Sequence, residues 1–286
     1  MKKVIALSAF SALLLTGCSQ LDSYIEKIPF LSSEETAEPM PSNTQKQDAP
    51  SGETVKEQQA QTSEEPPSEN DAPKLEADFF NEIQSVNGKA VIQNPKNIMV
   101  MVNKQYSLPD GYAPDDLVRP NVLFSFGDQD IEKSYMRKEA AEALEAMFTD
   151  AKNNGTHLFA VSGYRSYDRQ VSVFNAEVNK YGEEKALAAV AIPGSSEHQT
   201  GLSMDLSSES ANFELSEAFG ETAEGKWIAQ NAHRFGFILR YPKGKEAITG
   251  YKYEPWHFRY VGKKAAKVIF EKDLTLEEYF KIVQKI

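Results

Sequence analysis

Cysteine is almost absent from this chain, since Cys18 is the only one among 286 residues. An internal disulfide is therefore impossible, and the chain beyond residue 78 has no thiol that could act as a nucleophile. No serine has a lysine three residues later, which excludes the Ser-x-x-Lys motif of penicillin-binding serine enzymes. Gly-x-Gly-x-x-Gly and Gly-Lys-Ser/Thr segments are also missing, so the sequence gives no indication of a nucleotide site.

An excess of positive charge is missing as well, because the formal net charge is −11. Most of this charge lies in residues 21–78, which contain 14 acidic and 4 basic side chains, whereas residues 79–286 contain 28 and 25. Nucleic-acid binding normally requires a clustered excess of lysine and arginine. We therefore expect no nucleic-acid partner.

Composition divides the chain near Phe79. Residues 18–78 are rich in Glu, Gln, Ser, Thr and Pro, while the aromatic and β-branched residues that a core needs are concentrated further on. The first segment has too little apolar surface to offset the entropy of ordering, and its like charges repel one another. We predict a disordered acidic tether over residues 18–78 and a folded domain over residues 79–286.

The start of the sequence has the pattern of an export signal. Lys2 and Lys3 precede an apolar run over residues 4–15, which is shorter than the ~20 residues needed to span a bilayer and suits a signal peptide. Leu-Thr-Gly-Cys at 15–18 resembles the bacterial lipobox, which implies a lipoprotein signal peptide over residues 1–17 and a lipidated Cys18. The expected location is the extracytoplasmic face of the bacterial cell membrane, with the lipid as the anchor.

Short strands and helices alternate irregularly after Phe79. Apolar residues recur at helical spacing over 135–152, Ser166 can cap a further helix, and Thr275 with Glu278 forms a capping box. Shorter helices are predicted through 186–191 and 227–235, and strands at 158–161, 202–206, 237–241 and 256–261. This pattern predicts an α+β fold with a small, mainly antiparallel sheet flanked by helices.

Two of the four histidines lie in segments that combine imidazole and carboxylate groups. These are SEHQTGLSMD at 196–205 and EPWH at 254–257. Two imidazoles and one carboxylate can fill three positions of a tetrahedral zinc site and leave the fourth to water. Gly201 allows a turn between His198 and Asp205, and Pro255 favours a position for Glu254 just before the strand that carries His257.

The pair of motifs Ser-x-His-x-x-Gly-x-Ala-x-Asp and Glu-x-x-His resembles the zinc D-alanyl-D-alanine carboxypeptidases of the VanY type. Ser203 stands where that motif has alanine. SGYRS at 162–166 and RYP at 240–242 extend the resemblance to about residues 95–270. It implies the fold of the hedgehog and D-Ala-D-Ala zinc peptidases, one Zn²⁺ ion, and peptidoglycan stem peptides as the substrate of a monomeric enzyme.

The resemblance also implies roles for individual residues. Zinc would be held by His198, Asp205 and His257. Glu254 would assist the attack of a zinc-bound water on the bond before the terminal D-alanine, and Arg165 would face the substrate. The implied substrate contacts are Gln170, Ser196 and Tyr241. For His157 and His233 we expect hydrogen-bonded positions in the core.

Three alternatives remain open on these residues. The bond cut could be of the D,D or the L,D type, because nothing in the motifs distinguishes the two. A peptidoglycan endopeptidase could use the same site. A non-catalytic, zinc-containing cell-wall binding module would be indicated by a missing general base, and Glu254 is present.

Overall fold

The structure is a computed structural model that describes residues 72–286. The predicted signal peptide, Cys18 and most of the predicted tether lie outside these residues. Within 72–286, none of the helices combines the length and the apolar character that a membrane crossing requires.

The strands of the described part are short. In chain order they are β1 (Lys74–Leu75), β2 (Ile83–Val86), β3 (Lys89–Ile92), β4 (Tyr106–Ser107), β5 (Leu117–Val118), β6 (Met136–Arg137), β7 (Phe159–Ser162), β8 (Ser203–Ser207), β9 (Phe237–Leu239), β10 (His257–Tyr260) and β11 (Gln284–Lys285). The α-helices are α1 (Lys138–Asn153), α2 (Tyr167–Tyr181), α3 (Glu183–Ala189), α4 (Ala223–Asn231), α5 (Glu246–Thr249), α6 (Lys263–Glu271) and α7 (Leu276–Ile282).

A four-stranded sheet in the order β7-β8-β10-β9 forms the centre of the fold, and each neighbouring pair is antiparallel. All residues of β8 and β10 are buried. The main core packs α1 against this sheet, with Leu144 and Met147 on the helix and Met204 and Phe258 on the strands. The predicted α+β fold with a small antiparallel sheet is confirmed.

Several predicted elements occur with shifted bounds. Helix α1 begins at Lys138 instead of residue 135, because Met136–Arg137 pairs with β5 as strand β6. Ser166 caps α2 as predicted, since its side chain accepts a hydrogen bond from the backbone N–H of Arg169. The helix predicted over 227–235 ends at Asn231 and continues as a 3-10 turn. The core position expected for His157 is wrong, because His157 is exposed.

A second core holds the C-terminal helices and the start of the described chain. It includes Leu75, Ile269 and Tyr279. Strand β1 pairs in parallel with β11, so ordered structure begins before Phe79, inside the segment predicted as tether. Leu75 is only 8% exposed and packs in one core with residues of α6 and α7, which lie almost 200 residues later in the sequence. Composition alone does not indicate this packing.

Candidate metal and catalytic site

His198 is delivered to the site by a tight turn before strand β8. It lies in a 3-10 turn over Glu197–Thr200 that ends at Gly201 with φ of 67°. A Cβ atom at Gly201 would lie 2.9 Å from Leu117 Cδ2 and 3.1 Å from Arg137 Cγ, so both the backbone conformation and the available space require glycine. The predicted role of Gly201, to turn the chain between His198 and the strand, agrees with this geometry.

Asp205 and His257 are direct neighbours across two antiparallel strands. The register of β8 and β10 pairs these two residues. Cross-strand neighbours project to the same face of a sheet. The sheet therefore brings together two groups that are 52 residues apart in the sequence.

The three predicted metal ligands converge on one point. His198, Asp205 and His257 each offer a ligand atom, and these atoms lie within 4.8 Å of one another. Nε2 of His198 is 3.4 Å from one oxygen of Asp205, and Nδ1 of His257 is 3.0 Å from the other. All three side chains are buried, and the two rings are nearly perpendicular at 88°.

The hydrogen bonds of the other ring nitrogens fit this donor set. Nδ1 of His198 is 2.8 Å from the carbonyl oxygen of Gly163, which can only accept, so this nitrogen carries the proton. Nε2 of His257 faces a carboxylate oxygen of Glu197 at 3.4 Å. Such partners fix the ring orientation and leave the opposite nitrogen free for a metal. Two imidazoles and a carboxylate arranged in this way suit zinc.

The protonation of the two imidazoles differs. Burial lowers the pKa of His198 to about 4. Burial also acts to lower the pKa of His257, but hydrogen bonds to Asp205 and Glu197 outweigh it and raise the pKa to about 9. Because zinc binds the neutral imidazole, metal binding at this site would displace a proton from His257.

Glu254 lies directly beside the three ligands. Its backbone N–H donates to the carbonyl of Tyr241, and its own carbonyl accepts from the N–H of His257, which fixes the segment just before β10. Oε2 of Glu254 is 4.0 Å from Nδ1 of His257. Burial, together with the negative charges of Asp205 and Glu197, raises the pKa of Glu254 to about 7. A carboxyl group whose pKa is close to neutral pH can both accept and release a proton.

Arg165 supplies a positive charge to the lining of the same cleft. It follows β7, and its Nη1 donates to Oε1 of Gln170 at 3.0 Å. The amide nitrogen of Gln170 donates in turn to the carbonyl of Ala191 at 2.6 Å. Gln170 is only 1% exposed, and both its amide oxygen and its amide nitrogen are engaged in these hydrogen bonds. Its side chain therefore fixes the position of Arg165.

The cleft brings most of the predicted site residues together. Its walls are formed by Arg165, Val190, Ala191, Ser195, Ser196, Glu197, His198, Asp205, Tyr241, Tyr251, Glu254, Trp256 and His257. Of the predicted substrate contacts, Ser196 and Tyr241 line the cleft, whereas Gln170 is not among the lining residues and is hydrogen-bonded to Arg165. The Tyr241 ring lies 4.7 Å from that of Tyr251 and 5.0 Å from that of His257, measured between centroids.

Several residues of the cleft were not singled out by the sequence, and Tyr251 and Glu197 are two of them. Tyr251 lies in a loop without a recognisable motif. Glu197 stands inside the first histidine segment, and its position directly before His198 was the only available signal. Both are brought to the site by tertiary contacts that local spacing does not reveal.

Comparisons with known proteins point to the same family as the sequence motifs do. The family model described as "VanY: D-alanyl-D-alanine carboxypeptidase" matches residues 133–263. The putative carboxypeptidase YodJ of Bacillus subtilis is 60% identical over 230 residues, which cover 80% of this chain and 84% of that protein.

Solved structures are similar over most of their length. The LdcB LD-carboxypeptidase has 63% sequence identity and a TM-score of 0.73, covering 74% of this chain and 99% of that one. The vancomycin-resistance D,D-pentapeptidase VanY, in complex with Zn(II), has 30% identity and a TM-score of 0.52, covering 64% of this chain and 98% of that one.

Proposed function

The chain belongs to the VanY family of D-alanyl-D-alanine carboxypeptidases, and we propose that it is an L,D-carboxypeptidase, which removes the terminal D-alanine from tetrapeptide stems of peptidoglycan. The observation that carries the L,D assignment is the likeness to the LdcB LD-carboxypeptidase, with 63% identity and a TM-score of 0.73. The D,D-pentapeptidase VanY is less similar, at 30% and 0.52.

Zinc fits the donor set described above. His198 would bind it through Nε2, His257 through Nδ1 and Asp205 through a carboxylate oxygen. The chemistry that zinc supplies when bound is Lewis acidity, which polarises a carbonyl and lowers the pKa of water. The three side chains are held before binding by Gly163, Glu197 and the β8–β10 register, so little reorganisation is needed.

Glu254 is the group that we assign to proton transfer. Its carboxylate takes the proton of the attacking water at Oε2 and later delivers it to the amine of the departing D-alanine, so the residue ends in its starting state. Its elevated pKa suits this cycle, because general acid–base groups work best near the operating pH.

Arg165 is assigned to the terminal carboxylate of the stem peptide. A guanidinium group pairs with a carboxylate in a fixed geometry, and Gln170 holds this one in place. Anchoring the carboxylate would place the last peptide bond beside Glu254 and favour removal of one terminal residue. Ser196 and Tyr241 would contact the substrate from the other walls.

Product analysis on defined stem peptides tests this function. Full-length protein would be incubated with tri-, tetra- and pentapeptide stems, with added zinc or with a chelator. We expect a tripeptide and free D-alanine from the tetrapeptide, and neither product in the presence of the chelator. An intact tetrapeptide alongside a trimmed pentapeptide would contradict the L,D assignment.

The same experiment separates the other candidates. The family description favours a D,D-carboxypeptidase as the second candidate, and this would convert pentapeptide to tetrapeptide. An endopeptidase would release an internal fragment or cut a cross-bridge. A binding module would release nothing, and the presence of Glu254 beside the three ligands argues against it.

Membrane anchoring through Cys18 is a separate proposal that rests on the sequence. The lipobox-like segment 15–18 and the acidic stretch after it would hold the enzyme at the extracytoplasmic face of the membrane while allowing it to reach the wall. Cys18→Ala should move the protein from the membrane fraction to the soluble fraction. Unchanged fractionation would contradict the anchor.

A further inference from the structure

Glu197 is a buried carboxylate that takes no part in the proton transfer or substrate binding assigned above. Its side chain is 1% exposed. Oε1 accepts hydrogen bonds from Arg240 Nε at 2.7 Å and from Arg259 Nη1 at 2.9 Å. Oε2 accepts from Ser203 Oγ at 3.2 Å and lies 3.4 Å from Nε2 of His257. One oxygen thus faces two arginines, and the other faces a predicted metal ligand.

The two arginines are themselves fixed from outside the site. Both are completely buried. Arg240 donates to both carboxylate oxygens of Glu277 in α7, at 2.9 and 2.6 Å. Arg259 donates to the backbone carbonyls of Ile98 and Val100, at 3.0 and 2.7 Å. These anchors lie outside the residues 133–263 that match the family model.

Stability alone does not account for such a group of charges. Burying ions costs several kcal/mol each, and well-packed apolar residues of similar volume are often as stable or more stable. A buried carboxylate that touches a metal-ligating histidine can do something that apolar residues cannot. It accepts a hydrogen bond from the N–H of one ring nitrogen, and so leaves the lone pair of the other nitrogen directed toward the metal site.

We propose that Glu197 is a positioning residue, which together with Arg240 and Arg259 forms a buried clamp that orients His257 for metal binding. Since an ionised carboxylate can only accept, Nε2 of His257 carries the proton, and Nδ1 presents its lone pair to the site. This inference rests on the zinc role assigned to His257 above. It does not depend on which peptide bond the enzyme cuts.

Zinc affinity of the full-length protein is the direct test, measured by competition with a chromophoric chelator. Partners of this kind typically affect metal affinity by about 10- to 100-fold. We expect a loss of this size for Glu197→Gln and also for Glu197→Asp, which keeps the charge but withdraws it from the ring. The visible spectrum of the Co²⁺-substituted protein should change in both variants, because the direction of the His257 ligand changes.

Glu277→Gln is the matched control. It removes one negative charge from the same buried network and contacts Arg240, but it does not contact His257. We expect it to lower the melting temperature while leaving zinc affinity within about twofold. If Glu197→Gln and Glu197→Asp bind zinc as tightly as this control does, and give the same Co²⁺ spectrum, the positioning role is overturned.

A measurement on the unmutated protein covers the case in which the Glu197 variants do not fold. Nitrogen-15 spectra of the zinc-loaded protein should show a proton on Nε2 of His257 and none on Nδ1. The reverse assignment would overturn the proposal. Failure of the L,D assignment would instead appear only in the peptide products, so the two ideas can fail separately.

Discussion

Glu197 and Glu254 lie on opposite sides of one imidazole ring, and their surroundings shift their pKa values in opposite directions. Burial acts to raise the pKa of Glu197, but Arg240 and Arg259 outweigh it and hold the pKa well below its usual range. Burial raises the pKa of Glu254 to about 7, with neighbouring negative charges adding to the effect. One carboxylate stays ionised and can fix geometry, while the other can exchange a proton.

This contrast separates a chemical face of the site from a structural face. Glu254 faces the cleft, and its side chain keeps 26% of its exposure, whereas the Glu197 side chain keeps 1%. Changes on the chemical face should alter rates and leave stability intact. Changes on the structural face should instead lower the stability of the protein or its affinity for zinc. The predictions below test this division.

Metal removal should cause the largest loss of activity, because the proton transfer assigned to Glu254 and the ligand positioning assigned to Glu197 both serve a bound metal. Dialysis of the full-length protein against a chelator should reduce D-alanine release to background, and added Zn²⁺ should restore it. A β-lactam should have no effect, since the chain lacks the Ser-x-x-Lys motif. Undiminished activity in protein shown to be free of metal would contradict the zinc mechanism.

Glu254→Gln should cause the next largest loss of activity. The amide is isosteric but cannot take up the proton, and general acid–base groups contribute about 10²- to 10⁴-fold to the rate. We expect kcat to fall by this factor while zinc binding and the melting temperature stay near the wild-type values. Metal content by elemental analysis and thermal melts provide the controls. A variant with wild-type kcat would remove Glu254 from the mechanism.

Arg240→Met should destabilise the protein by about 3–5 kcal/mol, because it leaves the buried carboxylate of Glu197 without one of its two arginine partners. Urea denaturation gives the free energy of unfolding. Arg234→Met is a suitable control, since Arg234 pairs with Asp150 at a partly exposed position and such pairs are worth about 1 kcal/mol or less. Equal effects from the two substitutions would contradict the structural role of the clamp.

Thr275→Ala should have the smallest effect, about 0.5–2 kcal/mol of unfolding free energy. Thr275 and Glu278 form the capping box of α7, the helix that carries Glu277. We expect zinc affinity to remain unchanged, because the cap does not contact the clamp. A loss of zinc affinity comparable with that of Glu197→Gln would show that the helix as a whole, and not Glu197, controls the metal site.

Much of the site could be predicted from residues that are close together in the sequence. The segments 196–205 and 254–257 contain the right ligand types, and Gly201 explains how His198 turns toward Asp205. Element types were also predictable, although strand and helix ends shifted by a few residues. Strand β6 is an example, because the pairing of Met136–Arg137 with β5 delays the start of α1.

The structural face could not be predicted in this way. Arg240 and Arg259 would ordinarily be expected at the surface, since arginines are rarely buried completely without a partner. Their partner Glu197 lies 43 and 62 residues away in the sequence. The surroundings of Gln170, a predicted substrate contact, could not be read from local sequence either, because its burial and its hydrogen bond to Arg165 follow from the tertiary packing.

The sequence by itself determined the donor groups, the glycine at the turn, the caps of α2 and α7 and the family. These features depend on residue type and on spacing over about ten residues, where covalent geometry limits the outcome. Only the tertiary structure decided which of the two glutamates near His257, Glu197 or Glu254, stays ionised. That choice depends on the distance to Arg240 and Arg259, and strand pairing together with the docking of α7 sets this distance.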